Sequence, residues 1–251
     1  MRTKQTLKMK HLKTIFSVLV LFAALSCSKN QTAGNGLVAF AVSSNQNVAD
    51  MTKSNVSDYT TLPTTGDFTI TILDESSAQV WSGKISEWDP ATPLLAGNYT
   101  VNASYGSIEE EGFDKPYFSG TQTFTVKGGA TATVSIPVTL GNTIIKISCS
   151  EYFNKYYSDY TFKLTRGTAE IASFVKGESK AAFVDGYKVK IEGTLTGELK
   201  TYTFEKEYTG LDEATAYTIN FDVQNVGGSA ITISFNDIVE VVELGDYELN
   251  D

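Results

Sequence analysis

Residues 68–83 read FTITILDESSAQVWSG. Apolar Phe68, Ile70 and Ile72 alternate with Thr69 and Thr71, and a small polar run separates them from a second alternating stretch. A period of two sends successive side chains to opposite faces of a strand, one for a core and one for water. The pattern therefore predicts two half-buried strands joined by a turn. The same signature recurs in GLVAFAVS (36–43), GNYTVNASYG (97–106), TQTFTVK (121–127) and TATVSIPV (131–138). TTGD (64–67) and KGGA (127–130) are turn signals, and ISEWDP (85–90) predicts a short helical turn. With 13 Tyr, 14 Phe, abundant Thr, Val and Ile and only 5 Pro, the composition is that of a β protein.

The opening stretch also has an echo. YTFKLTRGTAEIASFVKG (160–177) repeats the plan of 68–83, GYKVKIEG (186–193) that of GNYTVNAS (97–104), and ATAYTINFDV (214–223) that of ATATVSIPV (130–138). The order is kept at offsets of about 85–92 residues. Three ordered matches predict two tandem copies of one β unit; chance likeness between Thr-rich strands is the competing reading. The expected architecture is all-β, with two antiparallel sandwiches of immunoglobulin-like or transthyretin-like type. The first would span 36–139 and the second 140–251, with SAITISFN and IVEVVEL extending the second.

The N-terminus predicts an address. Arg2, Lys4, Lys8, Lys10 and Lys13 precede a short apolar run, TIFSVLVLFAAL (14–25), that ends in small Ser26 and then Cys27. A run this short falls below the roughly 20 residues that cross a bilayer and fits a secretory signal instead. ALSC resembles a bacterial lipobox, although Ala24 stands where leucine is usual. The expectation is a signal at 1–26, lipidation at Cys27 and a small polar tether over 27–35, with an uncleaved anchor or an ordinary signal as alternatives. Two or more acyl chains anchor a protein stably where one is marginal. Removing 1–26 would leave 225 residues with 15 Lys+Arg against 29 Asp+Glu, a net charge of −14, and no histidine. So acidic a chain, without a basic cluster, is a poor partner for nucleic acid.

Few residues point to chemistry. Without His11 there is no Ser-His-Asp or Cys-His pair and no histidine zinc site. No Gly-rich phosphate loop is present. The reading is of a non-enzyme without cofactor or metal. Cys149, in TIIKISCS (143–150), shares a strand face with Ile145 and Ile147 and is expected to pack as a small hydrophobe. Glu109, Glu110, Glu111 and Asp114 gather in SIEEEGFDKP; a calcium site and a solvated acidic loop are both open, the Asp-x-Asp-x-Asp spacing being absent. In EYFNKYYSDY (151–160), Phe153, Tyr156, Tyr157 and Tyr160 fall on one helical face, which predicts a short helix covering the end of a sandwich. Trp81 is expected in a core and Trp88, beside Asp89-Pro90, partly at the surface. Tyr117, Trp88, Tyr152 and Tyr157 are the candidate ligand-contact residues should they share an exposed face.

LLAGNYTVNASYG, KPYFSGTQTFTVKGGATATVSIPV and ISCSEYFNKYYSDYTFKL resemble an uncharacterised family of Bacteroides-type lipoproteins, domain of unknown function family 4493. The two-unit plan is also similar to that of fimbrillin-type adhesins. The resemblance implies an all-β, lipid-anchored protein of the outer membrane, with no catalytic residues to carry over. A structural or adhesive role, in a minor fimbrial or surface component, is the first expectation. A glycan- or small-ligand-binding lipoprotein of an uptake system is the second. Expected partners are the membrane, through the lipid, and other envelope proteins or glycans. Which side of the membrane it faces stays open. Shaft fimbrillins are thought to mature by cleavage after an arginine near the first strand. The only arginine after the signal is Arg166, so a full-length anchoring or accessory component is expected rather than a shaft subunit, with a lysine-directed cut at Lys29 or Lys53 as the alternative.

Overall fold

The computed structural model describes residues 34–46, 54–223, 230–235 and 238–243. The expected signal at 1–26, the lipidation site Cys27 and nearly all of the tether lie outside the described residues. The described residues are built mainly from strands. β1 (Asn35–Asn45), β2 (Thr69–Asp74), β3 (Gln79–Lys84), β4 (Leu94–Leu95), β5 (Gly97–Tyr105), β6 (Gly112–Phe113), β7 (Phe118–Val126) and β8 (Thr131–Leu140) come first. β9 (Thr143–Cys149) is followed by the short helix α1 (Glu151–Tyr156). Then come β10 (Asp159–Arg166), β11 (Ala169–Val175), β12 (Ala182–Val184), β13 (Lys188–Thr196), β14 (Thr201–Thr209), β15 (Ala216–Val223), β16 (Ala230–Phe235) and β17 (Ile238–Glu243).

Period-two alternation becomes alternating burial. β8 buries Val134, Ile136, Val138 and Leu140 and exposes Thr133, Ser135, Pro137 and Thr139. Among the described residues the strands form three sheets, ordered β3-β2-β5-β7-β8-β1-β4, β11-β10-β13-β14 and β17-β16-β15-β9-β12-β6. The sequence echo has a topological counterpart. β3-β2-β5-β7 and β11-β10-β13-β14 run in the same order, each opening on a hairpin with one register shift, between Ile72 and Leu73 and between Leu164 and Thr165. β8 and β15, the third matched pair, each lie parallel to the strand that opens their half, β1 and β9. These two parallel pairs depart from the purely antiparallel expectation. β1 and β8 are far apart in sequence, so no tight turn dictates their relative direction.

Two apolar clusters form the core. One gathers Phe68, Ile70, Ile72, Trp88, Val101, Phe118, Ile136 and neighbours; the other gathers Phe153, Tyr157, Phe162, Leu164, Ile191, Tyr217 and Phe221. They share a wall. On β9, Ile144 joins the first cluster and Ile145 and Ile147 the second; on β12, Phe183 joins the first and Ala182 and Val184 the second. A strand buried on both faces must be apolar on both, which is why Thr143–Ile145 and Ala182–Val184 lose their alternation. β6, from the first half of the chain, adds to the edge of the second half's sheet through Ala182↔Phe113. Close packing also sets residue choice at Gly193, where an added Cβ would meet Phe204 Cε1 at 2.1 Å.

Candidate functional site

The sequence singled out an aromatic cluster, an acidic loop and a thiol, and the fold places each of them. Ser150 caps α1 by accepting the Phe153 N–H at 3.0 Å, and Glu151 stands in the first turn, where a carboxylate suits the helix dipole. The helix turns Phe153 fully inward. Its ring lies 4.7 Å from Tyr157, 5.3 Å from Tyr160 and 6.0 Å from Phe221. Tyr157 and Tyr160 are buried and Tyr156 partly so, and these rings plug the end of the second core as expected; they do not form one helical face, however, because α1 ends at Tyr156, Tyr157 is its C-cap and Tyr160 stands on β10. Burial pushes the phenols of Tyr157 and Tyr160 well above the ordinary tyrosine range.

The four candidate contact residues do not share a surface. Trp88 is buried, its Nε1–H donating to the Val38 carbonyl at 2.9 Å. It meets Phe40 and Trp81 edge-on at 5.5 and 5.1 Å. The expectation that Trp88 is partly exposed is corrected, because the indole N–H finds a backbone partner inside the first core. Trp81, expected in a core, lies half-buried on edge strand β3 and packs against the first core. Tyr157 is buried in the other core, which removes a second ring from any platform. Tyr152, on the outer side of α1, is 72% exposed. Tyr117 is half-buried at the passage between the halves, where its N–H donates to Asn142 Oδ1 and its carbonyl accepts from Gly141.

The acidic loop is not merely solvated. Its carboxylates are drawn apart by separate cations, Glu110 to Lys115 at 2.9 Å, Asp114 to Lys180 at 2.6 Å and Glu111 to Arg166 at 2.7 Å. Lys115 holds the Glu110 carboxyl below the usual glutamate range, and the partner Asp114 raises Lys180. Among the described residues no three acidic, Cys or His groups gather as a metal site. Glu111 is the informative member. It is 17% exposed and also accepts the Asp185 backbone N–H at 2.7 Å, while Asp185 Oδ2 meets Arg166 at 3.4 Å. Leu164 and Thr165 are buried in succession near the end of β10, and Arg166, the last residue of that strand, meets Glu111 and Asp185 at this seam. Glu111 and Arg166 thus tie the first half of the chain to the second.

Beside the seam, Arg166, Asp185, Tyr187, Lys188, Lys190 and Glu207 line a cleft of about 530 Å³. The alternation in GYKVKIEG marks a strand and carries no sign of a cleft at its start. The lone arginine after the signal and the Asp185-Gly186 turn were the available cues. Cys149 packs against the second core beside Ile145 and Ile147, as its alternation predicts. Burial, opposed weakly by a hydrogen bond with Tyr160, pushes its thiol up to about 11.

The architecture is that of an all-β protein with sandwich-type packing. The chain belongs to the family described as Domain of unknown function (DUF4493), whose model matches residues 34–245. It is similar to a candidate cell adhesion protein of Bacteroides ovatus at 12% identity and TM-score 0.46, over 86% of this chain and 99% of that one. It is similar to a candidate adhesin of Bacteroides thetaiotaomicron at 12% identity and TM-score 0.44, over 85% and 99%. It is also similar to the fimbrial anchor protein Mfa2 from Porphyromonas gingivalis at 11% identity and TM-score 0.34, over 86% and 100%. No curated protein matches it.

Proposed function

We infer that this chain is a lipid-anchored protein of the outer membrane with a structural or adhesive role, formed of two tandem β units over 36–139 and 140–251. One observation carries the reading. Sheet edges stand open at the surface, while the four candidate contact rings form no common platform. Among the described residues β3 ends one sheet, paired only to β2, and β11 ends another, paired only to β10. An unpaired edge presents backbone donors and acceptors that a strand of another protein can complete. The candidate rings, by contrast, are divided between two cores and two separate surfaces. The basic head, short apolar run and Cys27 support the anchor. Arg166 stands at the end of β10, held by Glu111 and Asp185, so no arginine near β1 invites maturation by cleavage.

The test is to extract the native protein gently from cells and determine its N-terminus, size and membrane partition, beside a Cys27→Ala variant. The expected form starts at Cys27, is otherwise full length and leaves the membrane fraction when Cys27 is replaced. A species truncated within 30–60 that runs as an unboiled ladder would make it a shaft subunit. A Cys27→Ala protein that stays membrane-bound in high salt would overturn the lipid anchor.

A further inference from the structure

At the end of β10 and the start of β13, the cleft's volume of about 530 Å³ lies within the range of small-ligand sites, about 300–1,000 Å³. Its charges are balanced. Arg166 is held by Glu111 and Asp185, Lys188 by Glu207 at 2.6 Å, and Lys190 by Glu192 at 2.5 Å and Glu205 at 3.2 Å. An anion would have to displace one of these carboxylates, and a cation one of these bases. A neutral ligand meets no such barrier. The same pairs keep hydrogen-bonding capacity in reserve, since a carboxylate has about four acceptor sites, an ammonium three protons and a guanidinium five. A surface that alternates strong donors with strong acceptors suits a group that does both, the hydroxyl.

The cleft also holds a ring. Tyr187 is 68% exposed, and its backbone is pinned where its carbonyl accepts the Leu211 N–H at 3.2 Å. An aromatic face carries negative potential and attracts polarised C–H groups, such as those on one face of a sugar ring. Two glycines keep space beside it. Gly167 and Gly186 adopt φ of +59° and +105°. An added Cβ at Gly167 would touch nothing within 4 Å, and one at Gly186 would meet only Arg166 Nη2, at 3.7 Å.

We propose that this cleft binds a neutral saccharide chain, with Tyr187 stacking on a sugar ring and the ion-paired side chains of Arg166, Asp185, Lys188 and Glu207 bonding its hydroxyls. The proposal deepens the adhesive reading and rests on it only for the claim that the saccharide belongs to a surface the protein attaches to.

The experiment is calorimetric titration of the purified full chain with neutral hexasaccharides of glucose, mannose and xylose, and with hexagalacturonate as the charged control. At least one neutral hexasaccharide should bind, with less than about a twofold change in affinity between about 0.05 and 0.5 M salt, because the bonded groups are already paired. Tyr187→Ala should weaken binding about tenfold, and Tyr187→Phe, which keeps the ring, less than about threefold. Tyr187 is exposed, so both variants should fold, which circular dichroism checks. The proposal falls if no neutral hexasaccharide binds at about 10 mM, if Tyr187→Ala binds as well as the parent, or if hexagalacturonate binds more tightly than every neutral probe with a steep loss in salt. Saccharide binding by a protein that fractionates away from membranes would keep the cleft and sink the envelope reading. A membrane-held protein that binds no probe would do the reverse.

Discussion

Replacing Glu111 with alanine should destabilise the fold more than replacing its partner Arg166, although one ion pair links them. Glu111 accepts two charge-assisted bonds, from Arg166 Nη2 and from the Asp185 backbone N–H, each at 2.7 Å. Bonds to charged groups contribute about 1.5–3 kcal/mol in protected surroundings. The Arg166 side chain is 36% exposed, so solvent screening reduces its share to about 1 kcal/mol or less. The backbone N–H of Asp185 has no such freedom, and without Glu111 it loses its acceptor in a part-buried place. Glu111→Ala should therefore cost about 2–3 kcal/mol, Arg166→Ala about 1 kcal/mol, and the double variant less than the sum by about 0.5–1 kcal/mol. Urea unfolding followed by tryptophan fluorescence reads this as shifts in midpoint at constant slope. Raising salt should shrink the coupling and leave most of the Glu111→Ala loss intact. A coupling below about 0.3 kcal/mol, or an Arg166→Ala loss exceeding that of Glu111→Ala, would refute the assignment of Glu111 as the seam's main tie.

Two further expectations follow from the second core. Phe153→Ala should cost about 3–5 kcal/mol, because the ring is fully buried among Tyr157, Tyr160 and Phe221, whereas Tyr152→Ala on the exposed side of the same helix should stay within about 0.5 kcal/mol; thermal unfolding separates them. Cys149 should react with a thiol reagent at pH 8 about two orders of magnitude more slowly than an exposed cysteine, since burial pushes it up to about 11. Because the raised value means that the folded state holds the proton more tightly, its contribution to stability is complete below the unfolded thiol's range. It is lost as pH climbs toward about 11. Unfolding midpoints across that window should fall less steeply for Cys149→Ala, and an equal slope would contradict the burial of the thiol.

Taken alone, the sequence determined what depends on near neighbours. Strand alternation in 68–72 and 131–138, the core side of Cys149 and the ordered echo between the two halves are all set by spacings of two residues or by direct comparison of segments, whereas the helical face expected of Phe153, Tyr157 and Tyr160 gives way to a helix that ends at Tyr156 and a strand that carries Tyr160. Local spacing fixes which side chains share a face before any distant contact forms. The tertiary structure decided what depends on register between remote strands. Trp88 is buried because its indole reaches Val38, fifty positions earlier, and Glu111 finds Arg166 fifty-five positions later. The cleft forms where the end of β10, which carries Arg166, meets the turn before β13 that carries Tyr187. Charge balance there is a property of side chains brought together from β10, β13, β14 and the loop at 109–114. No periodicity along the chain encodes that meeting, because it is set by how the sheets stack and how their ends are tied.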